Sequence, residues 1–373
     1  MEKKNVNFED VVYFQEGPGV RNWQFRDSGI KLINIRNLVD SELCLENTTN
    51  YLEVEEVEKK YKHFLLNAGD FVMASSGVTW GKIAEVHEEH LPLCLNTSII
   101  RLVSKDTDVL DKWYLYYYIK SPQFRRQIER LITGSAQPNF GPSHLKKVVI
   151  NLPEICNQRE AVEQFTKVEA VINKRQKEME LLDELIKARF VEMFGDPIIN
   201  SKNLETRPLK DVLILKAGDF TAASAISDEP TEANIYPCYG GNGIRGYVAA
   251  YNQDGEYSLV GRQGALSGNV QYASGKFKNT EHALLVTPIV EMNSIWLNQL
   301  LVNLELKRYQ TGAAQTGLSV KNLQDIQILC VPAEEQNQFA EFVKQVDKSK
   351  VAIQKSLDKT QQLFDALMQQ YFG

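Results

Sequence analysis

Apolar residues recur in alternating steps of four and three along residues 154–194. This spacing is typical of a long helix whose narrow apolar seam faces a partner helix. Pro153 precedes the segment, Gly195 and Pro197 follow it, and neither residue type interrupts it, so both ends are marked. About 40 residues at ~1.5 Å each would form a rod on the order of 60 Å long. The seam comprises Phe165, Val168, Ile172, Met179, Leu182 and Ile186.

The same stepping returns near the C-terminus, in a seam of Val343, Val346, Ile353, Leu357, Phe364 and Leu367. The two seams are offset by 178 residues, as in 343 − 165 = 178. The segment TGSAQPNF at 133–140 leads into the first helix, and TGAAQTGL at 311–318 leads into the second at the same offset. This recurrence predicts an internal duplication in which the two helices pair with each other.

Four positions of the two seams are polar, namely Arg175, Arg189, Lys350 and Thr360. One interpretation is that long side chains lie along the seam and keep their polar ends in water. The other is that these positions set the register of the helices or bind another protein. The sequence leaves both interpretations open.

The duplication predicts a first domain at 1–152, a helix at 153–197, a second domain at 198–331 and a helix at 332–373. Short apolar runs between Gly, Pro and Asn predict strands and hairpins in both domains. We therefore expect an α+β fold, with two similar α/β domains joined by two long antiparallel coiled-coil helices. If one helix leads away from the first domain and the other returns, a pseudo-twofold axis relates the domains.

The two domains differ most in their loops. GDFVMASSGVTWGKIAEV at 69–86 aligns with GEYSLVGRQGALSGNVQYA at 255–273, and each segment has two glycines four residues apart. The residues around these glycines are not the same. Divergent loops on a duplicated scaffold predict two sites of one kind with different specificities.

Composition excludes several classes of protein. No apolar run approaches the ~18 residues of a membrane span, and the first residues, MEKKNVNFED, lack an apolar signal core, so we expect a cytoplasmic location. The five cysteines are scattered without a C-x-x-C pair, which argues against a disulfide framework or a zinc site. The net charge of −6 argues mildly against nucleic acid. A local basic run is either a solvated face or part of a DNA-facing surface: Lys112, Lys120, Arg125, Arg126, Arg130, Lys146 and Lys147.

Three segments resemble known catalytic motifs, but each lacks a residue, a spacing or a structural context that its motif requires. GVTWGKI at 77–83 is one residue too short for a phosphate-binding loop and has Ile83 where a hydroxyl should hold magnesium. GNGIRG at 241–246 has no strand-to-helix context, and HEEH at 87–90 lacks the histidine spacing of a zinc protease. We therefore predict no catalytic residue, no metal site and no cofactor bound by this chain.

Polar, glycine-rich loops remain as the candidate chemistry. Arg pairs with a guanine edge and Asn or Gln with an adenine edge, and glycine lets the main chain approach a duplex. The alternative is that these glycines only form hairpin turns. The predicted DNA-binding residues are Arg21, Asn22, Lys31, Ser75, Ser76, Thr79, Lys82, Gln137 and Asn139 in the first domain, and Gly241, Asn242, Arg245, Arg262, Gln263, Asn269 and Gln315 in the second.

The combination of these features resembles one family. The duplication, the two heptad helices, YPCYGGNGIRGY, SLVGRQGALSGNV, NTEHALLVTP and the paired TG-x-AQ segments are similar to the specificity subunit of type I restriction–modification enzymes. GPGVRNWQFRDSGIKLINIRNL also resembles the start of a target-recognition domain of that family. The resemblance covers essentially the whole chain.

The resemblance implies a non-catalytic, DNA-reading subunit. Two target-recognition domains would each read one half of a bipartite site in double-stranded DNA. The implied partners are methyltransferase subunits, two in number, which use S-adenosylmethionine, and a translocating endonuclease subunit that uses ATP and Mg. An alternative of another class is an assembly scaffold with two protein-binding modules on a coiled coil. DNA retention that weakens steeply with salt would favour the first reading.

Overall fold

The computed structural model describes residues 4–46, 50–132, 138–311 and 317–373. The helices are α1 Phe8–Val11, α2 Val54–Glu56, α3 Lys112–Lys120, α4 Pro122–Leu131, α5 Pro142–Leu145, α6 Ile155–Phe194, α7 Leu209–Val212, α8 Ser294–Asn303, α9 Val320–Leu323 and α10 Ala333–Phe372. A break at Ser121 separates α3 from α4, and the Ser121 hydroxyl accepts the Phe124 N–H (3.2 Å) and caps α4.

Strands in the first domain are β1 Lys4–Asn7, β2 Val12–Glu16, β3 Ile30–Ile33, β4 Leu38–Val39, β5 Glu42–Leu43, β6 Tyr51–Leu52, β7 Phe71–Ala74, β8 Ile83–Glu85, β9 Leu93–Leu95, β10 Ile99–Ser104 and β11 Val149–Leu152. Strands in the second domain are β12 Thr206–Pro208, β13 Leu213–Ala217, β14 Tyr236–Gly240, β15 Gly243–Val248, β16 Gln253–Gly261, β17 Val270–Asn279, β18 Ala283–Pro288 and β19 Gln327–Leu329.

The sheets of the two domains share one plan. The first domain contains a sheet with the order β2-β10-β7-β8, and the second contains β13-β18-β16-β17 in the same sequence of pairings. In the second domain β17 continues and pairs in parallel with β14, whereas in the first domain a separate strand, β9, pairs in parallel with β3. The second domain therefore has one six-stranded sheet where the first has a four-stranded and a three-stranded sheet.

A two-stranded ribbon closes each domain at the base of a long helix. In the first domain β1 pairs with β11, and in the second β12 pairs with β19, both antiparallel. The backbone hydrogen bond that follows each ribbon is also repeated, from Phe8 N–H to Val148 O (2.9 Å) and from Leu209 N–H to Ile326 O (2.8 Å). The duplication inferred from the sequence is thus present in the hydrogen-bonding pattern.

By compactness the chain divides into one unit of Met1–Lys174 with Leu357–Gly373 and another of Arg175–Ser356. Each unit contains one domain and part of each long helix, and the two helix segments run antiparallel within it. In the first unit the Phe165 ring lies 5.7 Å from that of Phe364. In the second unit the Phe190 ring lies 5.5 Å from that of Phe339.

The structure places the predicted seam residues on the less exposed face of both helices. It also adds buried residues outside the seam: Phe190, Phe194, Ala340, Met368 and Phe372. These lie near the helix ends, where each helix contacts its domain as well as its partner helix. A helix with two neighbours needs a wider apolar stripe than a coiled-coil seam, so the strict heptad pattern was too narrow there.

Polar seam residues form ion pairs in the structure. Lys350 donates to Asp183 on the facing helix (2.6 Å), and only 23% of the lysine side chain is exposed. Arg175 and Arg189 instead pair along their own helix, with Glu178 (2.6 Å) and Glu192 (2.8 Å). Lys350 therefore fits the register-setting interpretation, and the two arginines fit the solvated one.

A buried glutamine at the start of each long helix holds the domain to it. Gln158 is 1% exposed, accepts the Asp111 N–H (2.9 Å) and donates to the carbonyls of Val109 and Pro153 (both 2.9 Å). Its counterpart Gln336 accepts the Asn293 N–H (2.8 Å) and donates to the Val331 carbonyl (2.7 Å). Nothing in the sequence patterning pointed to these residues, although they lie 178 positions apart.

We expect Gln158→Ala to lower the free energy of unfolding by about 2–3 kcal/mol, because it leaves buried backbone groups without partners. Gln336→Ala should have a similar effect. Chemical unfolding of the full chain followed by circular dichroism measures the change. Gln176→Ala, at an exposed position of the same helix, is the matched control. Equal stability of the Gln158 and Gln176 variants would contradict this role.

Candidate nucleic-acid interface

Each domain contains one loop with the same backbone hydrogen bonds and the same positions of positive φ. Loop L2 (residues 262–269) joins β16 to β17. Its closing hydrogen bonds run from Gly261 N–H to Asn269 O (2.9 Å) and from Gly268 N–H to Gly261 O (2.8 Å). Gly264 and Gly268 have φ values of +73° and +83°, in the left-handed region that favours glycine.

Loop L1 (residues 75–82) joins β7 to β8 in the first domain. Ala74 N–H donates to Lys82 O and Gly81 N–H to Ala74 O (both 2.8 Å). Gly77 and Gly81 have φ values of +79° and +84°. L1 and L2 therefore have the same hydrogen bonds and the same glycine positions, while their other side chains differ. The glycine pairs recognised in the sequence serve one loop conformation.

The segment after each TG-x-AQ motif docks beside its loop. Phe140 N–H donates to Ser75 O (3.0 Å), and Leu318 N–H donates to Arg262 O (2.8 Å). This docking brings Asn139 opposite Ser76 and Gly317 opposite Gln263. Gln137 and Gln315 lie outside the described residues. Both loops are thus held by a segment that is followed by a short helix, a ribbon strand and then a long helix.

Two further segments of the second domain meet L2. The hairpin between β14 and β15 approaches so closely that a Cβ at Gly261 would lie 2.5 Å from the Gly241 carbonyl oxygen. Asn269 Nδ2 donates to Asn242 Oδ1 (2.9 Å) across this contact. The turn between β17 and β18 contributes His282, whose carbonyl accepts the Arg262 N–H (3.0 Å). Glycines here permit close backbone approach between the hairpin and β16, whereas the predicted role of Gly241 was approach to DNA.

Predicted side chains of the second domain therefore converge. Asn242, Arg245 and Gln263 are exposed, while Arg262 and Asn269 are partly exposed. The Arg262 guanidinium donates to the Glu281 carbonyl (Nη1 to O, 3.3 Å). The Arg245 side chain extends over Gly240, and a Cβ added at Gly240 would lie 2.4 Å from Cδ of Arg245. The result is a polar surface of arginine and amide groups that can present donors to an acceptor-rich ligand.

Comparison with known proteins identifies the type of domain. A family model described as type I restriction modification DNA specificity domain matches residues 4–182 and again residues 201–363. The chain belongs to this type I DNA-specificity family. The match falls on both halves, so the family domain occurs twice, as the internal duplication requires.

Relatives agree with this assignment. The type I restriction enzyme EcoprrI specificity subunit of Escherichia coli is 30% identical over 289 residues, which cover 74% of this chain and 71% of that protein. The MjaVIII specificity subunit of Methanocaldococcus jannaschii is 26% identical over 202 residues, covering 53% of this chain and 47% of the relative.

Solved structures of this family share the fold. The S subunit of the type I restriction–modification system from M. genitalium matches with a TM-score of 0.57 at 16% identity, covering 100% of this chain and 96% of that one. A chain from a structural study of complex assembly in the type I R-M system gives a TM-score of 0.51 at 16% identity, covering 100% and 97%. The predicted α+β fold with two repeated domains is confirmed.

In the first specificity domain only some of the predicted residues lie on or beside L1. Ser76 is partly exposed, and Thr79, Lys82 and Asn139 are exposed around L1. The prediction that Ser75 contacts DNA is wrong, because this residue is 0% exposed. The backbone pairing that fixes L1 uses both polar backbone groups of Ser75 and turns its side chain inward. Ser75 therefore shapes the loop and does not face a ligand.

Arg21, Asn22 and Lys31 lie on other elements. Arg21 precedes a 3₁₀ turn, Asn22–Gln24, and Asn22 is its first residue. Gln24 anchors this turn by donating to Glu56 and the Tyr61 hydroxyl (both 2.9 Å). Lys31 is partly buried on β3. Within the described residues, no recorded hydrogen bond or bridge joins these three to L1.

Sequence reasoning missed several exposed apolar side chains. Val78 in L1 is 97% exposed, and Trp23 and Phe220 are 72% and 79% exposed. Val78 precedes the predicted Thr79 and Trp23 follows the predicted Asn22, so the focus on hydrogen-bonding groups excluded them. Exposed apolar groups of this kind can contact the thymine methyl group or a base step.

Four residues of the basic run are paired with carboxylates. Lys112 pairs with Glu85, Lys120 with Glu169, Arg125 with Glu129, and Lys146 with Glu9. Each pairing reduces the local positive field. This part of the chain therefore fits a solvated face better than a dedicated phosphate-binding surface.

The described part of the chain contains no cluster of three or more His, Cys, Asp or Glu side chains arranged to hold a metal ion. Burial raises the pKa of the Cys238 thiol on β14, so that thiol stays protonated and is a poor nucleophile. No described helix combines the length and apolarity needed to cross a bilayer.

Proposed function

We propose that this specificity-family chain reads a bipartite sequence in double-stranded DNA, one half with each domain. The observation that carries the proposal is the identity of the L1 and L2 backbones combined with their different exposed side chains. Because the two loops share one backbone conformation, each can bind the same kind of ligand. Different hydrogen-bonding groups on it select different base edges. The predicted pseudo-twofold arrangement would suit half-sites on the order of one helical turn apart.

The proposed partners follow from the family. Two methyltransferase subunits that use S-adenosylmethionine and one translocating endonuclease subunit that uses ATP and Mg would supply the chemistry, in the cytoplasm. The exposed charged faces of α6 and α10 are where such subunits could bind, because the domains themselves cover only the helix ends. This chain would then contribute target choice and placement.

Selection from a library of randomised double-stranded DNA tests the proposal. The full chain, alone and assembled with the methyltransferase subunit of its own system, should enrich two short sequences separated by an unread spacer. Retention should weaken steeply with added salt, because phosphate contacts release counterions. Enrichment of a single uninterrupted sequence, or of none, would contradict it. Salt-insensitive binding to protein alone would favour the scaffold alternative.

The arginines of the second domain provide a residue-level prediction. If Arg245 and Arg262 read base edges, alanine at either should cost about 1–3 kcal/mol of binding and relax one base position of one half-site. Competition binding with single-base variants of the enriched sequence measures both effects. Arg207→Ala, on the ribbon strand β12, is the control. A uniform loss across all sequences would reassign the arginine to a phosphate contact.

A further inference from the structure

Three side chains form a hydrogen-bonded row at the edge of L2. The Glu281 carboxylate accepts the Thr221 N–H through Oε2 (3.2 Å), and its Oε1 lies 3.1 Å from His282 Nε2. His282 Nδ1 lies 3.1 Å from Gln263 Oε1. The row therefore connects the backbone of the segment after β13 to an exposed side chain of L2.

The row holds one end of the glutamine amide. An ionised carboxylate only accepts hydrogen bonds, so His282 Nε2 carries a proton toward Glu281. The other ring nitrogen, Nδ1, lies against the Gln263 amide and occupies one end of it. The opposite end of the amide is then directed away from the row. Without the contact to His282, the Gln263 side chain could present either its amide nitrogen or its amide oxygen, because the terminal torsion of a glutamine has a broad distribution.

The backbone under Gln263 is also fixed. The preceding residue, Arg262, is held by hydrogen bonds to His282 on one side and to Leu318 on the other (3.0 and 2.8 Å). Gln263 itself lies opposite Gly317 and is exposed. A fixed backbone with an oriented amide is the arrangement that a hydrogen-bonded base contact requires.

The first domain has no such row at the equivalent positions. Ser75 N–H donates to Ser98 O (2.9 Å), as Arg262 N–H donates to His282 O, so Ser98 corresponds to His282. Ser76 corresponds to Gln263, because each lies opposite the residue that precedes the docked Phe140 or Leu318. The side chains of Ser76 and Ser98 are too short to form such a hydrogen-bonded row. The row is therefore a property of the second domain alone.

We propose that Gln263 reads one base pair through the outward end of its amide, and that His282, held by Glu281, is the positioning residue that orients this amide. The inference rests on the proposed function. An outward amide nitrogen selects an acceptor in the major groove, such as O6 of guanine or O4 of thymine, and an outward amide oxygen selects a donor, such as N6 of adenine or N4 of cytosine.

DNA selection with the full chain, assembled as above, tests the proposal. Gln263→Ala should reduce discrimination at one base pair of one half-site about tenfold, and His282→Ala should relax the same base pair. His282→Asn keeps a donor near Gln263 and should retain more discrimination than His282→Ala. Ser98→Ala is the matched control in the first domain and should leave that base pair unchanged.

Glu281→Gln supplies a second test that preserves size. It weakens the hold on the His282 ring and should partly relax the same base pair, with the thermal midpoint unchanged. Wild-type preference in both His282→Ala and Glu281→Gln would overturn the proposal, as would an equal loss at every position. Absence of any enriched sequence with the wild-type chain would instead refute the proposed function, and the inference with it.

Discussion

Exchanging residues 198–331 for the matching segment of a relative with another target should change one half of the recognised sequence and leave the other half intact. L2, the β14–β15 hairpin and the Glu281–His282 turn all lie within this segment. Their hydrogen bonds to one another are internal to it. Every group proposed to read the second half-site therefore moves together with its support.

Mapping of methylated sites in a host genome, with and without the exchanged chain, measures this result. The reciprocal exchange of residues 1–152 should alter the other half-site, which makes each exchange a control for the other. A change in both half-sites after either exchange would show that the domains do not read independently. The effect is expected to be complete, because a new half-site replaces the old one.

Lengthening both long helices by seven residues should lengthen the unread spacer of the target by about three base pairs. Seven helical residues add ~10 Å, and DNA rises ~3.4 Å per base pair. Insertion after Lys174 and after Ser356 keeps the heptad phase and falls where the chain divides into its two units. DNA selection with the lengthened chain gives the spacer directly. An unchanged spacer would refute the role of the helices as a ruler.

A single insertion is the control for the double one. Lengthening α6 alone shifts one helix against the other, so the contacts of Phe165 with Phe364 and of Phe190 with Phe339 cannot both be kept. Buried aromatic contacts of this kind contribute several kcal/mol together. We expect a marked loss of thermal stability from the single insertion and its recovery in the double one.

Periodic features of the sequence were read correctly because they follow from local geometry. The four–three stepping predicted two long helices, and the structure has them at Ile155–Phe194 and Ala333–Phe372. The paired glycines at 77/81 and 264/268 predicted equivalent loops, because a left-handed backbone position strongly favours glycine. The constant 178-residue offset predicted the duplication without reference to any contact.

Side-chain direction was harder to predict, because it depends on neighbours that are distant in the sequence. Ser75 was predicted to face DNA, yet the hydrogen bonds to Ser98 and Phe140 turn it into the core. Arg21 and Lys31 were predicted to bind DNA together with residues of L1, although they lie on other parts of the first domain. His282 was not selected at all, because its role depends on Glu281 and Gln263, the latter 19 residues away.

The sequence alone determined that the chain is a duplicated α+β protein with two long heptad helices, since repeats and helical periodicity are properties of residue order. Only the tertiary structure decided which loop side chains face outward and which are held by others. That decision depends on backbone segments far apart in the chain that are brought within hydrogen-bonding distance, and no local pattern records such distances.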